Sequence, residues 1–561
     1  VGARAALDVP LRPDMARCQT IHHSLQVTLL DSQGPLDQRA WDVYLPDKSR
    51  GALDDFRSGF MPSYWVRTHT DASFTAWLQQ LGFGFASDGS SMESAPSLNL
   101  PWHKFFIAWR PFHHLSGTPI RNPCLSDPNA LEDTIEKALN VVRHCRKYGP
   151  VFYTIGDEVE LVRDGKAEVC FSPHCAERFR IWSKELYGNL ERANAEWGTE
   201  YGSWEDITPV RAGEVRERGN FALWVDFRMF MEDVWIGAFE AVHDAVNKRY
   251  PEALLSFSNP FGRNPFSGED HYKSAMAEDI HCKYLRPDLI KEFRSFNPTT
   301  PIHSFYGYLE SVPFCRYFPW HFALNGGDVL SWYDVVGRQN RYALFDATGR
   351  HTPRSKAVVE TTADLITGVG KILRDFPPIP SQVAILHSQT SLHVSWIESG
   401  MQVGTIPWAE NGMDRLPASN PFGLHHKSRE NLKAMLKETS LQPDFLVPER
   451  ILNGGLDGYR LLILPCSVSL SEQTIAAITE FVQDGGAVLA DMRAGLYDEH
   501  GKTIPTRPSI ESVFGIRRSG TAYQSAPAEL SFGRAFAAAR REPDTDPAVG
   551  KEDVTLTTAH A

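Results

Sequence analysis

Between residues 59 and 333 the chain repeats one unit, a short run of β-forming, mostly apolar residues followed by an amphipathic helical stretch. The runs are GFMPSYWV, FGFAS, KFFIAW, VFYTIG, ALLSFS, EDIHCKY, PIHSFYGY and GDVLSWY. DASFTAWLQQLG, DTIEKALNVVRHCRKYG, SPHCAERFRIWSKELYG, VWIGAFEAVHDAVNKRY and RPDLIKEFRSF separate most of them and carry helical periodicity. Apolar strands alternating with helices belong to parallel sheets covered by helices. Eight in succession predict a closed (β/α)8 TIM barrel rather than an open sheet.

Prolines in DFPPIPSQ (375–382) mark a linker, and the alternation then restarts on a smaller scale. QVAILHS, ENLKAMLKETS, DFLVP, YRLLILP, SEQTIAAITEFVQDGG and AVLADMR predict a doubly wound, flavodoxin-like α/β domain. The expected division is 1–54 as the tail of a β-rich domain, 55–378 as the barrel, 379–520 as the second α/β domain, and 521–561 as a C-terminal segment that stops without a closing element.

The balance of charge narrows the partners. A net charge of −12 argues against nucleic acid or an anionic membrane, both of which reward a basic face. No apolar run reaches the ~18 residues of a transmembrane helix. Eight cysteines in 561 residues are too sparse for a disulfide scaffold and favour a reducing compartment, the cytoplasm. The 14 tryptophans suit sugar rings as well as packed cores.

The stretch FYTIGDEVEL (152–161) begins as a buried strand and ends with Asp157, Glu158 and Glu160. Crowded carboxylates raise one another's pKa. In a barrel, function sits at the C-terminal ends of the strands, and this is the fourth strand. A raised carboxylate there suits a general acid; the alternative is a helix N-cap. Glu160 is expected as a flanking surface or subsite residue. Arg110, after KFFIAW, can pair with the carboxylates or form a plain surface salt bridge. Trp332 and Trp320 are candidates for a sugar-subsite floor or for core. On this strand assignment His303, Tyr306, His281 and Tyr284 line the same mouth.

Downstream, residues 170–209 read CFSPHCAERFRIWSKELYGNLERANAEWGTEYGSWEDITP. Cys170, Pro173, Cys175, Phe179, Trp182, Tyr187, Gly188, Leu190, Asn194, Trp197, Gly198, Thr199, Trp204 and Pro209 fall in register with a stretch of glycoside hydrolase family 42, the β-galactosidase family. The chain resembles that family from about 55 to 520, and its second α/β domain resembles the family's trimerisation domain.

The resemblance implies a retaining exo-glycosidase that hydrolyses terminal, β-galactoside-like bonds by double displacement with two glutamates. By position Glu158 takes the acid/base role. Asp157 stands where the family has an asparagine that binds the sugar 2-OH, which puts substrate preference in question. Glu310, after PIHSFYGYL, is the expected nucleophile, with Asp334 in reserve. The reaction requires no cofactor. The family's structural zinc, held by four cysteines, would have Cys124, Cys170 and Cys175 here; Ser172 replaces the middle ligand, and His174 is a substitute at an unusual spacing. Expected partners are a carbohydrate substrate and further copies of the chain, as a trimer. One rival is a carbohydrate-binding barrel that lost its nucleophile. Another is an amidotransferase-type activity at Cys466 in LLILPCSVS, which requires a Cys–His dyad.

Overall fold

The computed structural model describes residues 22–45, 53, 56–61, 72–88, 100–114, 117–162, 167–258, 265–284, 287–307, 311–333, 335–336, 343–346, 348–376, 379–399, 423–527 and 548–556. An antiparallel hairpin comes first, β1 (His22–Asp31) and β2 (Gly34–Tyr44). Eight strands then make one sheet: β3 (Arg57–Phe60), β4 (Phe83–Asp88), β5 (Trp102–Lys104), β6 (Phe152–Thr154), β7 (Leu255–Ser256), β8 (His281–Lys283), β9 (Ile302–Gly307) and β10 (Val329–Tyr333). Their order is β7-β6-β5-β4-β3-β10-β9-β8, and every hydrogen-bonded pair is parallel. This is a nearly closed (β/α)8 barrel.

Side chains close the remaining seam between β7 and β8. Glu278 Oε1 accepts from Phe257 N (3.0 Å) and Ser256 Oγ (2.9 Å). Ser256 Oγ in turn accepts from Cys282 N at 3.1 Å. The buried Lys283 ammonium neutralises that carboxylate at 3.1 Å. Buried charge is tolerated where it is both paired and hydrogen-bonded, as it is here.

Strand parity decides what faces the lumen. Phe85, His103, Phe152, His303 and Phe305 pack against one another inside the barrel. Tyr306 and Trp332 point outward with Ile302 and Leu330 into the layer shared with the helices. The outer helices use ordinary local signals. Pro128–Cys145 starts on Asp127, which caps Asn129 N at 3.0 Å, and buries Thr134, Ala138, Val142 and Cys145 at helical spacing.

Between β6 and β7 the chain makes a helical excursion, Pro173–Tyr187, Leu190–Trp197 and Ala212–Arg218, before the 28-residue helix Ala222–Arg249. The second unit carries β11 (Val383–Leu386), β12 (Asp444–Leu446), β13 (Leu461–Leu464) and β14 (Ala487–Ala490), parallel in the order β12-β11-β13-β14. That order is flavodoxin-like. A last antiparallel pair, β15 (Ile516–Pro527) and β16 (Ala548–Leu556), follows.

The two α/β units are joined by packing and polar contacts. Trp224 stacks on Trp396 at 5.7 Å, Arg216 Nε donates to Ile397 O at 2.7 Å, and His500 Nδ1 meets Asp226 Oδ1 at 2.8 Å. Among the described residues no helix is long and apolar enough to cross a membrane.

Candidate active site

Past its last paired residue, β6 stays in the sheet for several more positions. Ile155 N donates to Ser256 O (2.9 Å), Ser258 N to Gly156 O (3.2 Å) and Val159 N to Ser258 O (3.0 Å). On the other side Ala108 N donates to Ile155 O at 3.0 Å. Asp157 and Glu158 therefore leave the C-terminal end of the fourth barrel strand between the ends of its neighbours. Glu158 adopts a left-handed backbone, φ 51°. A residue with a Cβ takes that conformation at a cost and keeps it only where surroundings enforce it.

The enforcing groups come from the segment after β5. Trp109 Nε1 donates to Asp157 O at 2.8 Å, and His113 Nδ1 donates to Glu158 O at 2.9 Å. Both carbonyls of the acid pair are thus held by side chains. Trp109 lies so close to the strand that a Cβ on Gly156 would come within 2.5 Å of its Cδ1 and 2.7 Å of Val159 Cγ1. Glycine is needed there for close approach. Across the mouth, Asp157 Oδ1 accepts from Tyr284 OH at 2.9 Å and from Ser258 Oγ at 3.4 Å. Trp109 also stacks obliquely on His113 at 4.7 Å and meets the edge of Phe106 at 5.4 Å, making an aromatic wall beside the acids.

Below this layer the lumen is filled. A hydrogen-bonded belt runs from Cys282 Sγ to His303 Nδ1 (3.1 Å), His303 Nε2 to Ser331 Oγ (2.8 Å), Ser331 Oγ to Ser87 Oγ (3.2 Å), and Ser87 Oγ to His103 Nδ1 (3.2 Å). Burial pushes His303 down to about 3 and His103 well below the usual imidazole range. Both stay neutral and serve the core.

Several expected site residues lie elsewhere. His303 is inside the closed belt rather than in the mouth. Trp332 is 2% exposed, with Nε1 donating to Ser58 Oγ at 3.3 Å in the outer layer. Tyr306 stacks on Phe318 at 3.6 Å in the same layer. Trp320 lies on helix Val312–Leu324 and packs against that core. His281 turns to Glu278 at 3.3 Å. Arg110 is exposed and makes no ion pair with the acids among the described residues. Glu160 is buried rather than at the surface, and its N donates to Phe112 O at 3.2 Å. Glu310 and Asp334, the two candidates for a second carboxylate, lie outside the described residues. Trp109, His113 and Ser258 were not singled out in the sequence, although position immediately past a barrel strand was an available signal.

The cysteines form one compact group. The sulfurs of Cys124, Cys170 and Cys175 lie within 4.8 Å of one another, all buried. Ser172 Oγ is 3.0 Å from Cys124 Sγ but is engaged as the N-cap of helix Pro173–Tyr187, accepting from Cys175 N at 3.1 Å. His174 is half exposed and turned toward Asp127, 3.9 Å away. Structural zinc takes four N or S ligands in a closed tetrahedron. Among the described residues the donor set is three sulfurs, which does not fit that centre. Cys466 is fully buried after β13, its thiol pushed up by burial beside Asp491, and no histidine hydrogen-bonds it among the described residues. Among the described residues it lacks the dyad an amidotransferase needs.

Comparison with known proteins points one way. Residues 122–314 match the glycoside hydrolase 42 family model, described as beta-galactosidase, and residues 381–533 match the beta-galactosidase trimerisation domain. Beta-galactosidase BgaA of Planococcus sp. (strain 'SOS Orange') is 21% identical over 365 residues, covering 59% of this chain and 50% of its own. The chain thus spans about half the length of the curated relatives it matches. The beta-galactosidase structure from Bacillus circulans sp. alkalophilus superposes with a TM-score of 0.65 at 14% identity, over 84% of this chain and 76% of that one. The one from Halorubrum lacusprofundi gives 0.64 at 17%, over 84% and 78%. At such identities the superpositions speak for the fold.

Proposed function

The chain belongs to glycoside hydrolase family 42, and we propose that it is a retaining exo-glycosidase acting on terminal β-galactoside-like bonds. Glu158 protonates the departing glycosidic oxygen and then takes a proton from the attacking water. Glu310 attacks the anomeric carbon to form a glycosyl-enzyme. Asp157 orients the sugar beside Glu158. No cofactor enters this scheme.

The observation that carries the proposal is the setting of Glu158. It follows the fourth barrel strand in a costly backbone conformation, with its carbonyl and that of Asp157 tied to His113 and Trp109. A double displacement needs a second carboxyl at ~5 to 5.5 Å, whereas inversion needs ~6.5 to 9.5 Å. The match of the second α/β unit to a trimerisation domain supports self-association as a trimer.

The test is the anomeric configuration of the first-formed sugar, followed by NMR during hydrolysis of an aryl β-galactoside. The β-anomer is expected. An initial α-anomer would overturn retention, and saturable galactoside binding with no turnover would favour a sugar-binding barrel without a nucleophile. Sedimentation at several concentrations tests the trimer.

A further inference from the structure

The acid beside Glu158 carries its own information about the sugar. Asp157 Oδ1 accepts from Tyr284 OH at 2.9 Å and from Ser258 Oγ at 3.4 Å. Both donors are neutral hydroxyls, so they stabilise the ionised carboxylate without cancelling its charge. An ionised carboxylate is acceptor-only and offers about four lone-pair sites. These two bonds anchor Asp157 without exhausting it.

The place of the charge decides which part of a bound sugar it meets. In the proposed reaction the Glu158 carboxyl reaches the glycosidic oxygen on C1. Asp157 is the preceding residue, and Tyr284 draws its carboxylate toward the end of β8. The ring neighbours of C1 are the ring oxygen and C2. The ring oxygen carries only lone pairs and has nothing to donate to a carboxylate. The substituent on C2 does. A 2-hydroxyl offers one proton, and a neutral amide side chain would accept it as well as an acid does. A 2-ammonium offers three protons together with an opposite charge. Both acids are partly buried, where such a pairing is stronger than in bulk water.

The wall next to Asp157 suits the same group. Trp109 Nε1 is 2.8 Å from Asp157 O, and the indole meets the edge of Phe106 at 5.4 Å. Phe106 is itself held left-handed, φ 62°, which a bulky residue adopts only where its surroundings impose it. Aromatic rings beside a carboxylate add cation–π attraction for an ammonium and apolar cover for the sugar.

We infer that Asp157 is a specificity-determining residue, selecting a terminal 2-amino-2-deoxy-β-hexoside with its amine protonated over the 2-hydroxy parent. The inference rests on Glu158 being the acid/base residue of the proposed reaction, and it narrows the substrate class of that same site. The ammonium keeps its proton throughout and takes no part in the bond-making steps.

The experiment measures kcat/KM of the full chain on matched p-nitrophenyl β-glycosides that carry a 2-hydroxyl, a 2-amino or a 2-acetamido group. The contact is at C2 and indifferent to C4, so the galacto and gluco series are both assayed. The free amine should be favoured over the hydroxyl by roughly 10- to 100-fold, the scale of a hydrogen bond to a charged group. That preference should fade as pH rises past the pKa of the substrate amine, and the neutral 2-acetamido sugar should be the poorest of the three. Asp157→Asn keeps the shape and an oxygen for Tyr284 but removes the charge. It should bring the amine-to-hydroxyl ratio to about one or below, whatever it does to the absolute rates. The inference is overturned if the unaltered chain handles the hydroxyl or the acetamido sugar at least as well as the amine in both series. It is equally overturned if Asp157→Asn keeps the unaltered ratio. Absence of turnover on every substrate would count against the glycosidase reading, and calorimetry with the corresponding methyl β-glycosides then decides the inference. Tighter binding of the amine, lost in Asp157→Asn, upholds it; equal binding of amine and hydroxyl overturns it.

Discussion

Tyr284 OH lies 2.9 Å from Asp157 Oδ1, so a tyrosine just past β8 reaches the acid that ends β6. The bond spans the seam where β7 and β8 share no strand ladder among the described residues, and it holds the Asp157 carboxylate beside Glu158. A hydrogen bond to a charged group is worth about 1.5–3 kcal/mol. Tyr284→Phe is therefore expected to lower kcat/KM on an aryl β-galactoside by roughly 10- to 100-fold, with a smaller loss for stability because Ser258 Oγ still reaches Asp157. An unchanged kcat/KM would remove Asp157 from the substrate-orienting role.

Gly156 carries the second expectation. In Gly156→Ala the new methyl meets Trp109 and Val159 at distances real side chains do not tolerate. Trp109 must shift, and its bond to Asp157 O goes with it. Overpacking of this kind costs typically ~1–3 kcal/mol, to be read from chemical denaturation. Trp109→Ala in the same chain relieves the contact with the indole Cδ1, so the double variant should be more stable than additivity gives while remaining poorly active. Strict additivity would mean the two side chains do not compete for this space.

How much of this was open to sequence reasoning depended on the face each residue takes. Eight strands and the second α/β unit were legible, because apolar runs broken by Gly, Pro and helical periodicity mark them whatever their orientation. The fourth strand FYTIG and the acids after it fell where expected for the same reason. Tyr306 and Trp332 were misplaced because a barrel strand is buried on both faces. In IHSFYG and VLSWY both sides of the strand mix large rings or aliphatic side chains with small or polar ones, so period-2 alternation carries no signal of which side is the lumen, and a one-residue error reverses it. The Tyr284–Asp157 bond joins positions 127 apart in sequence, and nothing local to either residue announces it. Nothing local in SPHC announces how close Ser172 comes to Cys124.

A pH effect is expected at the contact between the units. Burial alone would lower His500, but the bond to Asp226, which also accepts from Trp197 Nε1 at 2.7 Å and from Tyr187 OH, raises it to about 9. The folded value exceeds the ordinary imidazole value near 6.5, so the contribution to stability is complete below about 6.5 and is lost as pH rises through about 9. Glu196 adds to the trend lower down. Burial and Asp498 raise it to about 7, so ionising it opposes folding as pH climbs from the usual glutamate range to about 7. Melting temperature should therefore fall between pH 6.5 and 9, and His500→Gln should flatten that limb while leaving the Glu196 limb in place. A variant with the same slope above pH 7 as the unaltered chain would place the titration elsewhere.

The mechanism itself is tested at Glu158. In Glu158→Ala the proposed proton donor is gone, so alkyl galactosides, whose leaving groups need protonation, should lose about 10²- to 10⁴-fold in turnover. Aryl galactosides with acidic phenols leave without that help, and their first step should survive better. Those substrates should then stall as glycosyl-enzyme, because the same carboxylate is the base for the incoming water. A burst of phenol followed by slow turnover is the expected trace. Azide needs no base, so it should restore turnover and yield the β-glycosyl azide. Glu310→Ala removes the proposed nucleophile, which should abolish the burst, and azide attacking directly should give the α-product instead. A loss under about tenfold on an alkyl galactoside in Glu158→Ala would fall below what general acid help supplies, and the acid/base role would have to pass to another residue.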